Sequence, residues 1–124
     1  MSRPEHEFFD ILLSVIGNQY HVFPQVHLPT ILEHKIKGQY WHGAFRHIDE
    51  KSIDFVLCDK QYIKPILAIE LDDHSHEGLD RQERDGEVER ILKEAGLPLL
   101  RFENRGHFEK EEISRRISEA LQCK

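Results

Sequence analysis

The segment from Pro65 to Asp72 constrains the fold more than any other part of the chain. Its middle, Ile66-Leu67-Ala68-Ile69, is apolar on both faces of an extended strand. This pattern is typical of a strand at the centre of a sheet that is covered on each side. The sequence therefore predicts helices on both faces of a β-sheet, which is an α/β or α+β architecture.

The other patterns along the chain predict the order helix, strand, irregular stretch, strand, strand, helix, strand, helix. Because a helix separates the third strand from the fourth, at least one connection is expected to be a parallel crossover in a mixed sheet. The predicted elements are helix 2–16, strand 20–28, strand 52–58, strand 65–72, helix 80–95, strand 97–102 and helix 110–121. Short helical turns are expected at 29–36 and 40–47, and a loop at 73–78.

Local signals support several of these boundaries. Ser2 and Glu5 have the spacing of a capping box, and Asp80 is predicted as the N-cap of the second helix. Pro24 interrupts the first strand, which indicates an edge or bulged strand. The apolar face of that strand is predicted to hold Tyr20, Val22, Val26 and Leu28.

The length of 124 residues predicts one domain that spans residues 1–124. No apolar run approaches the roughly 20 residues that a membrane-spanning helix needs, so no membrane partner is expected. The first ten residues lack the basic and apolar regions of a secretion signal, and two cysteines are too few for a disulfide framework. The chain is therefore expected in the cytoplasm.

The formal net charge of −6 argues against a constitutive nucleic-acid binder, because such domains usually carry positive charge. A site that collects carboxylates around a divalent cation would raise the acid count for a chemical reason. The nine histidines leave a zinc-binding regulatory domain as a further hypothesis, which rests on the histidine count alone.

Three acids fall at related positions of two neighbouring predicted strands. If the strands form a hairpin with their bulky faces together, Asp54, Glu70 and Asp72 share one side of the sheet. Burial of each acid costs several kcal/mol without a partner, and Mg²⁺ resolves this by taking one or two carboxylates and keeping waters for phosphate oxygens. The alternative is that these acids lie at solvated strand ends and pair with Arg81, Arg84 or Arg101.

Two further segments carry chemistry. His74 and His76 follow the acids, and a histidine there is a candidate general base, metal ligand or phosphate contact, or a solvated loop residue. Residues 34–48 contain basic and aromatic side chains and no acid, which suits phosphate neutralisation and base stacking. The alternative is that Trp41 and Phe45 anchor this segment to the core.

Short motifs then appear in a specific order. They are Glu5-x-x-Phe8-Phe9, Pro24-Gln25-Val26, Ile53-Asp54-Phe55-Val56-Leu57, Ile69-Glu70-Leu71-Asp72-Asp73-x-x-His76, Arg84-Asp85 and Gly96-Leu97-Pro98-Leu99-Leu100-Arg101. Together they resemble an uncharacterised bacterial family, a domain of unknown function related to the very-short-patch repair endonucleases in the PD-(D/E)XK, restriction-endonuclease-like superfamily. The resemblance spans roughly residues 5–102. It implies an αβββαβ mixed sheet flanked by helices, here with an extra C-terminal helix.

The resemblance also implies roles for individual residues. Asp54 and Glu70 match the metal-binding acids, while Asp72 stands where many superfamily members have a lysine that handles the attacking water. His76 is the implied substitute for that lysine, and Glu5 matches a first-helix acid that faces the same site, although the capping box explains Glu5 as well. The candidate nucleic-acid contacts are Gln25, Lys35, Lys37, Trp41, Arg46, Arg84 and Arg101. For the last two, solvent exposure or pairing with Asp80 or Glu103 is the alternative.

The implied activity is hydrolysis of phosphodiester bonds with Mg²⁺ or Mn²⁺ held by Asp54, Glu70 and Asp72. The expected substrate is DNA, and the expected protein is an endonuclease of repair or defence, for which a homodimer or a helicase-like partner is compatible with the sequence. The competing hypothesis is a nuclease-like fold that does not cleave and serves as a module for binding nucleic acid or protein.

Overall fold

The computed structural model describes residues 3–28, 52–72, 79–104 and 107–122, and of residues 79–85 and 87 it describes the backbone only. The predicted turns at 29–36 and 40–47 and the predicted loop at 73–78 lie outside these ranges. Ser2, the predicted N-cap of the first helix, lies outside them as well.

The described residues form three helices and four strands in the predicted order. They are α1 Arg3–Ile16, β1 Tyr20–His27, β2 Ser52–Asp59, β3 Pro65–Asp72, α2 Leu79–Glu94, β4 Leu99–Glu103 and α3 Lys110–Gln122. The predicted elements are confirmed with ends that differ by one or two residues, as helix and strand ends commonly do. Because α2 begins at Leu79, Asp80 lies in its first turn and not at the predicted N-cap. None of these helices is long and apolar enough to cross a membrane.

The four described strands form one mixed sheet in the order β1-β2-β3-β4. β2 pairs antiparallel with both β1 and β3, whereas β3 and β4 are parallel and are connected through α2. The predicted crossover is therefore confirmed, and β3 occupies an internal position as its apolar pattern indicated. The protein is a small α/β fold with an open four-stranded sheet.

Helices cover both faces of the sheet, as expected. On one face, the buried side chains of α1 and α3 pack against the bulky side chains of β2 and β3; they are Phe8, Leu12, Ile16, Ile113, Ile117, Phe55, Leu57, Leu67 and Ile69. On the other face, α2 packs Val88, Ile91 and Leu92 against the smaller side chains Val56, Cys58 and Ala68. The period of two in the strands thus divides the core into two layers.

β1 is an edge strand, as Pro24 predicted, but its side chains do not keep to one face. Tyr20 and Val22 pack with the α1 and α3 layer, whereas Val26 and Leu28 pack with the α2 layer. The prediction of one shared face is therefore wrong. Gln25 has a φ of 49°, which is in the left-handed region, and this backbone conformation interrupts the alternation of an extended strand.

The ring of Phe8 holds the α1 and α3 layer together. Its centroid lies 5.4 Å from Phe55 on β2, 5.2 Å from Phe102 on β4 and 5.1 Å from Phe108, which precedes α3. These separations are within the 4.5–7 Å range of favourable aromatic pairs. One side chain of α1 thus contacts two strands and the segment before the last helix.

We expect Phe8→Ala to lower the free energy of unfolding by about 3–5 kcal/mol, because it removes a fully buried ring from this cluster. Leu13→Ala on the same helix is the matched control, since Leu13 is exposed and its truncation should change stability by only about 0.5 kcal/mol. Chemical denaturation of both variants measures the difference. Equal losses would contradict the described packing of α1.

Candidate functional site

A row of polar residues crosses the sheet at the level of Asp54. The pairs on either side of it in β1 and β2, Pro24 with Phe55 and Val26 with Ile53, place Gln25 opposite Asp54. The Phe55–Ile69 pair is the last one of the ladder between β2 and β3, and Asp54 and Glu70 are the next residues of the two strands beyond it. Glu70 in turn pairs with Arg101 of β4. We call Gln25, Asp54, Glu70 and Arg101 the polar row.

The rows on both sides of the polar row are apolar. On one side the sheet carries Pro24, Phe55, Ile69 and Leu100, and on the other side Val26, Ile53, Leu71 and Phe102. Beyond the second of these rows the strands carry His27, Ser52, Asp72 and Glu103, which are all polar. The polar row therefore lies toward the end of the sheet at which β2 and β3 separate.

The carboxylate of Asp54 lies at the point where β2 and β3 separate. The ladder between these strands ends at the Phe55–Ile69 pair, and the Leu71 N–H instead donates to Asp54 Oδ2 at 2.7 Å. A charged acceptor makes this hydrogen bond shorter and stronger than a neutral one. Asp54 thus takes the place of a strand carbonyl, and its carboxylate is fixed against β3 beside Glu70.

Glu70 is the one buried charged residue among the described side chains, with 7% of its surface exposed. The Asp54 carboxylate is held next to it in the chain, at the Leu71 N–H, and like charges on neighbouring strands destabilise a sheet. Burial adds a desolvation penalty for the charged form of a carboxylate. Two acids in such an environment are the kind of donor pair that a hard divalent cation stabilises.

Asp72, the third acid of the predicted trio, contacts a guanidinium. Arg101 Nη1 lies 3.0 Å from Asp72 Oδ1, and Arg101 Nε lies 2.6 Å from Glu89 Oε1 on α2. The sequence left open that one of the three acids pairs with Arg101, and this contact is that alternative. For Arg101 itself, the sequence indicated Asp80 and Glu103 as alternative partners. Glu89 was not predicted, because nothing in the sequence distinguishes it from the other acids of the charged helix α2.

Glu5 and Gln25, which the resemblance assigned to one site, contact each other. Gln25 Nε2 donates to Glu5 Oε2 at 3.2 Å, and this bond connects the start of α1 to the edge strand. Gln25 is exposed. Gln25 also has a left-handed φ, which takes this residue out of the regular strand conformation.

The remaining predicted site residues lie outside what the structure describes. His76, and the basic and aromatic residues Lys35, Lys37, Trp41 and Arg46, fall in residues 29–51 and 73–78. For Arg84 only the backbone, within α2, is described. Their assignment to catalysis or to nucleic-acid binding remains a prediction from the sequence.

Among the described side chains, no group of three or more histidines, cysteines, aspartates or glutamates is arranged to hold a metal ion. Mg²⁺ usually takes only one or two carboxylates and fills its other positions with water and substrate oxygens. Asp54 and Glu70 supply two such carboxylates, while Asp72 is held by Arg101.

Comparison with known proteins identifies a family and no function. Residues 1–121 match the family described as protein of unknown function (DUF2726), and the chain belongs to that family. No curated protein and no solved structure matches the chain.

We expect Asp54→Ala and Asp54→Asn to differ in stability. Alanine removes the acceptor of the Leu71 N–H, and an unsatisfied donor at a partly buried position costs about 1–3 kcal/mol. Asparagine retains an oxygen that accepts the same hydrogen bond, so its free energy of unfolding should stay close to that of the parent protein. Urea denaturation measures both variants, and equal destabilisation would contradict this role of Asp54.

Proposed function

We propose that the protein is a metal-dependent nuclease of the PD-(D/E)XK, restriction-endonuclease-like class that hydrolyses phosphodiester bonds in DNA. The observation that carries the proposal is the polar row, in which the Asp54 carboxylate is held by the Leu71 N–H beside the buried Glu70 where β2 and β3 separate. These are the two acids that the sequence resemblance assigns to metal binding.

The order of elements supports the same class. The resemblance implies an αβββαβ core with a mixed sheet, and the described elements α1 to β4 follow that order, with α3 as an addition at the C-terminal side. Fold by itself does not define an activity, so this agreement supports the class and leaves the chemistry to the site.

Asp54 and Glu70 would hold the cation, and the short hydrogen bond from Leu71 would keep the Asp54 carboxylate oriented toward β3. A divalent cation bound there would polarise the phosphodiester and lower the pKa of a water molecule. His76 is proposed, from the sequence, to orient or deprotonate the attacking water. The basic and aromatic residues of segment 34–48 are proposed, also from the sequence, to contact the nucleic acid.

The resemblance implies a lysine at the position where this chain has Asp72, and Arg101 supplies a positive charge there. Its guanidinium brings positive charge from β4 to Asp72, at 3.0 Å from the carboxylate. A positive charge beside the acids suits the binding of an anionic phosphate. The arginine thus supports a site for phosphodiesters although the lysine is absent.

The same contact favours a second candidate function. If Arg101 keeps Asp72 permanently paired, the described acids provide no three-ligand metal group, and the fold serves as a module that binds nucleic acid or protein without cleaving it. The two candidates differ in one measurable property, which is the breaking of a phosphodiester bond.

We expect supercoiled plasmid DNA to be nicked in the presence of Mg²⁺ or Mn²⁺. Asp54→Asn, Glu70→Gln and Asp72→Ala should each lower the rate by at least about 100-fold, the lower end of what loss of one positioned catalytic group costs. Asparagine is chosen at position 54 because it retains the acceptor for the Leu71 N–H. Agarose gel electrophoresis against time provides the rates.

The matched control is Glu119→Gln, which also removes one negative charge. Glu119 is exposed on α3 and pairs with Arg115, so this variant should nick DNA at the rate of the parent protein. Nicking that survives all three site substitutions would assign the activity to another site or to a contaminant. DNA binding without nicking would favour the interaction module.

We also expect Mn²⁺ to stabilise the folded protein, since a ligand that binds only the native state raises its stability. At a concentration of about 100 times its Kd, the free energy of unfolding should increase by about 2.7 kcal/mol. Glu70→Gln should abolish this increase, while Glu119→Gln should retain it. Thermal unfolding with Mn²⁺ and with a chelator measures the effect, and a stabilisation that Glu70→Gln leaves intact would place the ion elsewhere.

A further inference from the structure

Arg101 bridges two carboxylates that differ in their exposure to solvent. The exposed fraction is 23% for the Arg101 side chain, 34% for Asp72 and 54% for Glu89. Both ion pairs of Arg101 are partly accessible to solvent, so a ligand that reaches this edge of the sheet can compete with Asp72 for the guanidinium.

A better partner for the guanidinium is a phosphate group. Arginine binds phosphate through two parallel hydrogen bonds, with a geometry that matches its planar fork. Arg101 pairs with Glu70 in the parallel register of β3 and β4, so its side chain belongs to the same face of the sheet as Glu70 and Asp72. A phosphodiester bound at this face would compete with Asp72 for the guanidinium. Glu89, which contacts Arg101 Nε, comes from α2 and not from the sheet.

A better partner for Asp72 is a cation at Asp54 and Glu70. Asp72 follows Glu70 by two residues on β3 and therefore projects from the same side of that strand. While Arg101 Nη1 is 3.0 Å from Asp72 Oδ1, that oxygen is engaged by the guanidinium. Release of Asp72 would give the acid pair a third carboxylate.

We propose that Arg101 is a substrate-operated switch that holds Asp72 until a backbone phosphate of the nucleic acid takes over the guanidinium. This inference rests on the proposed function. Exchange of Arg101 from Asp72 to phosphate frees Asp72 for the cation, so nucleic acid and cation bind cooperatively. Because binding linkage is reciprocal, the cation strengthens nucleic-acid binding by the same factor. Arg101 is a positioning residue for Asp72 in this scheme.

The test measures the Kd of Ca²⁺ by isothermal titration calorimetry, with and without a saturating duplex DNA oligonucleotide. Ca²⁺ takes the same oxygen ligands as Mg²⁺ with a looser geometry, and a gel of the recovered DNA checks that it is intact. For the parent protein we expect DNA to tighten Ca²⁺ binding by about 10-fold, after subtraction of a titration into DNA alone. In Arg101→Gln, DNA should tighten Ca²⁺ binding by less than about 2-fold.

Without DNA, the switch and a purely structural role for Arg101 predict opposite changes in the affinity of Arg101→Gln for Ca²⁺. If the switch is correct, Arg101→Gln frees Asp72, and Ca²⁺ binds more tightly to this variant than to the parent protein without DNA. If Arg101 only holds Asp72 in place for the cation, the same variant binds Ca²⁺ more weakly, and the switch is overturned.

A second variant and a control complete the experiment. Asp72→Asn should abolish the DNA-dependent gain as well, and it tests the switch independently if Arg101→Gln does not fold by circular dichroism. Arg115→Gln is the matched control because it also removes one arginine from an arginine–glutamate pair, on α3, and it should keep the 10-fold gain.

A parent protein that binds no Ca²⁺ in either condition would overturn the proposed function itself. A parent protein that nicks DNA while Arg101→Gln retains the gain would overturn only the switch.

Discussion

The antiparallel register of β2 and β3 determines where every acidic side chain of the candidate site lies. The pairs Phe55–Ile69 and Leu57–Leu67 place the bulky side chains of both strands in one layer, and Asp54 and Glu70 follow directly beyond the last pair, at strand positions of the opposite face. A slip of one residue would exchange the two faces and bury the acids under α1 and α3. The hydrophobic core thus sets the register, and the register assembles the acids.

This dependence explains why so much of the fold was predictable from the sequence. The apolar run of β3 and the alternation in β2 are local patterns that reflect burial directly, and they predicted both strands to within one residue. Gly96 has a φ of 75° and follows α2 as the sequence indicated, because a left-handed residue ends a helix. The hairpin of β2 and β3, which was the condition for placing Asp54 and Glu70 on one side of the sheet, is confirmed.

Other features of the site depend on contacts between distant parts of the chain. Arg101 meets Asp72 across 29 positions in sequence, and Glu89 joins them from a helix whose acids are not distinguished by their spacing. The left-handed conformation of Gln25 has no local signal either, since glutamine is not a residue that favours it. Periodicity predicts which face a residue occupies. It does not predict which of several charged residues on that face will pair.

The charge of the whole chain gives the polar row a particular role under the proposed function. With a net charge of −6, the protein has no general attraction for a phosphate backbone, so any affinity for nucleic acid must come from local contacts. At the polar row, the carboxylates of Asp54 and Glu70 would by themselves repel a phosphate, and Arg101 is already shared by Asp72 and Glu89. A bound divalent cation would neutralise the negative charges of the two acids. In such a site the cation serves substrate binding as well as chemistry, because without it an anionic substrate and the acidic row repel each other.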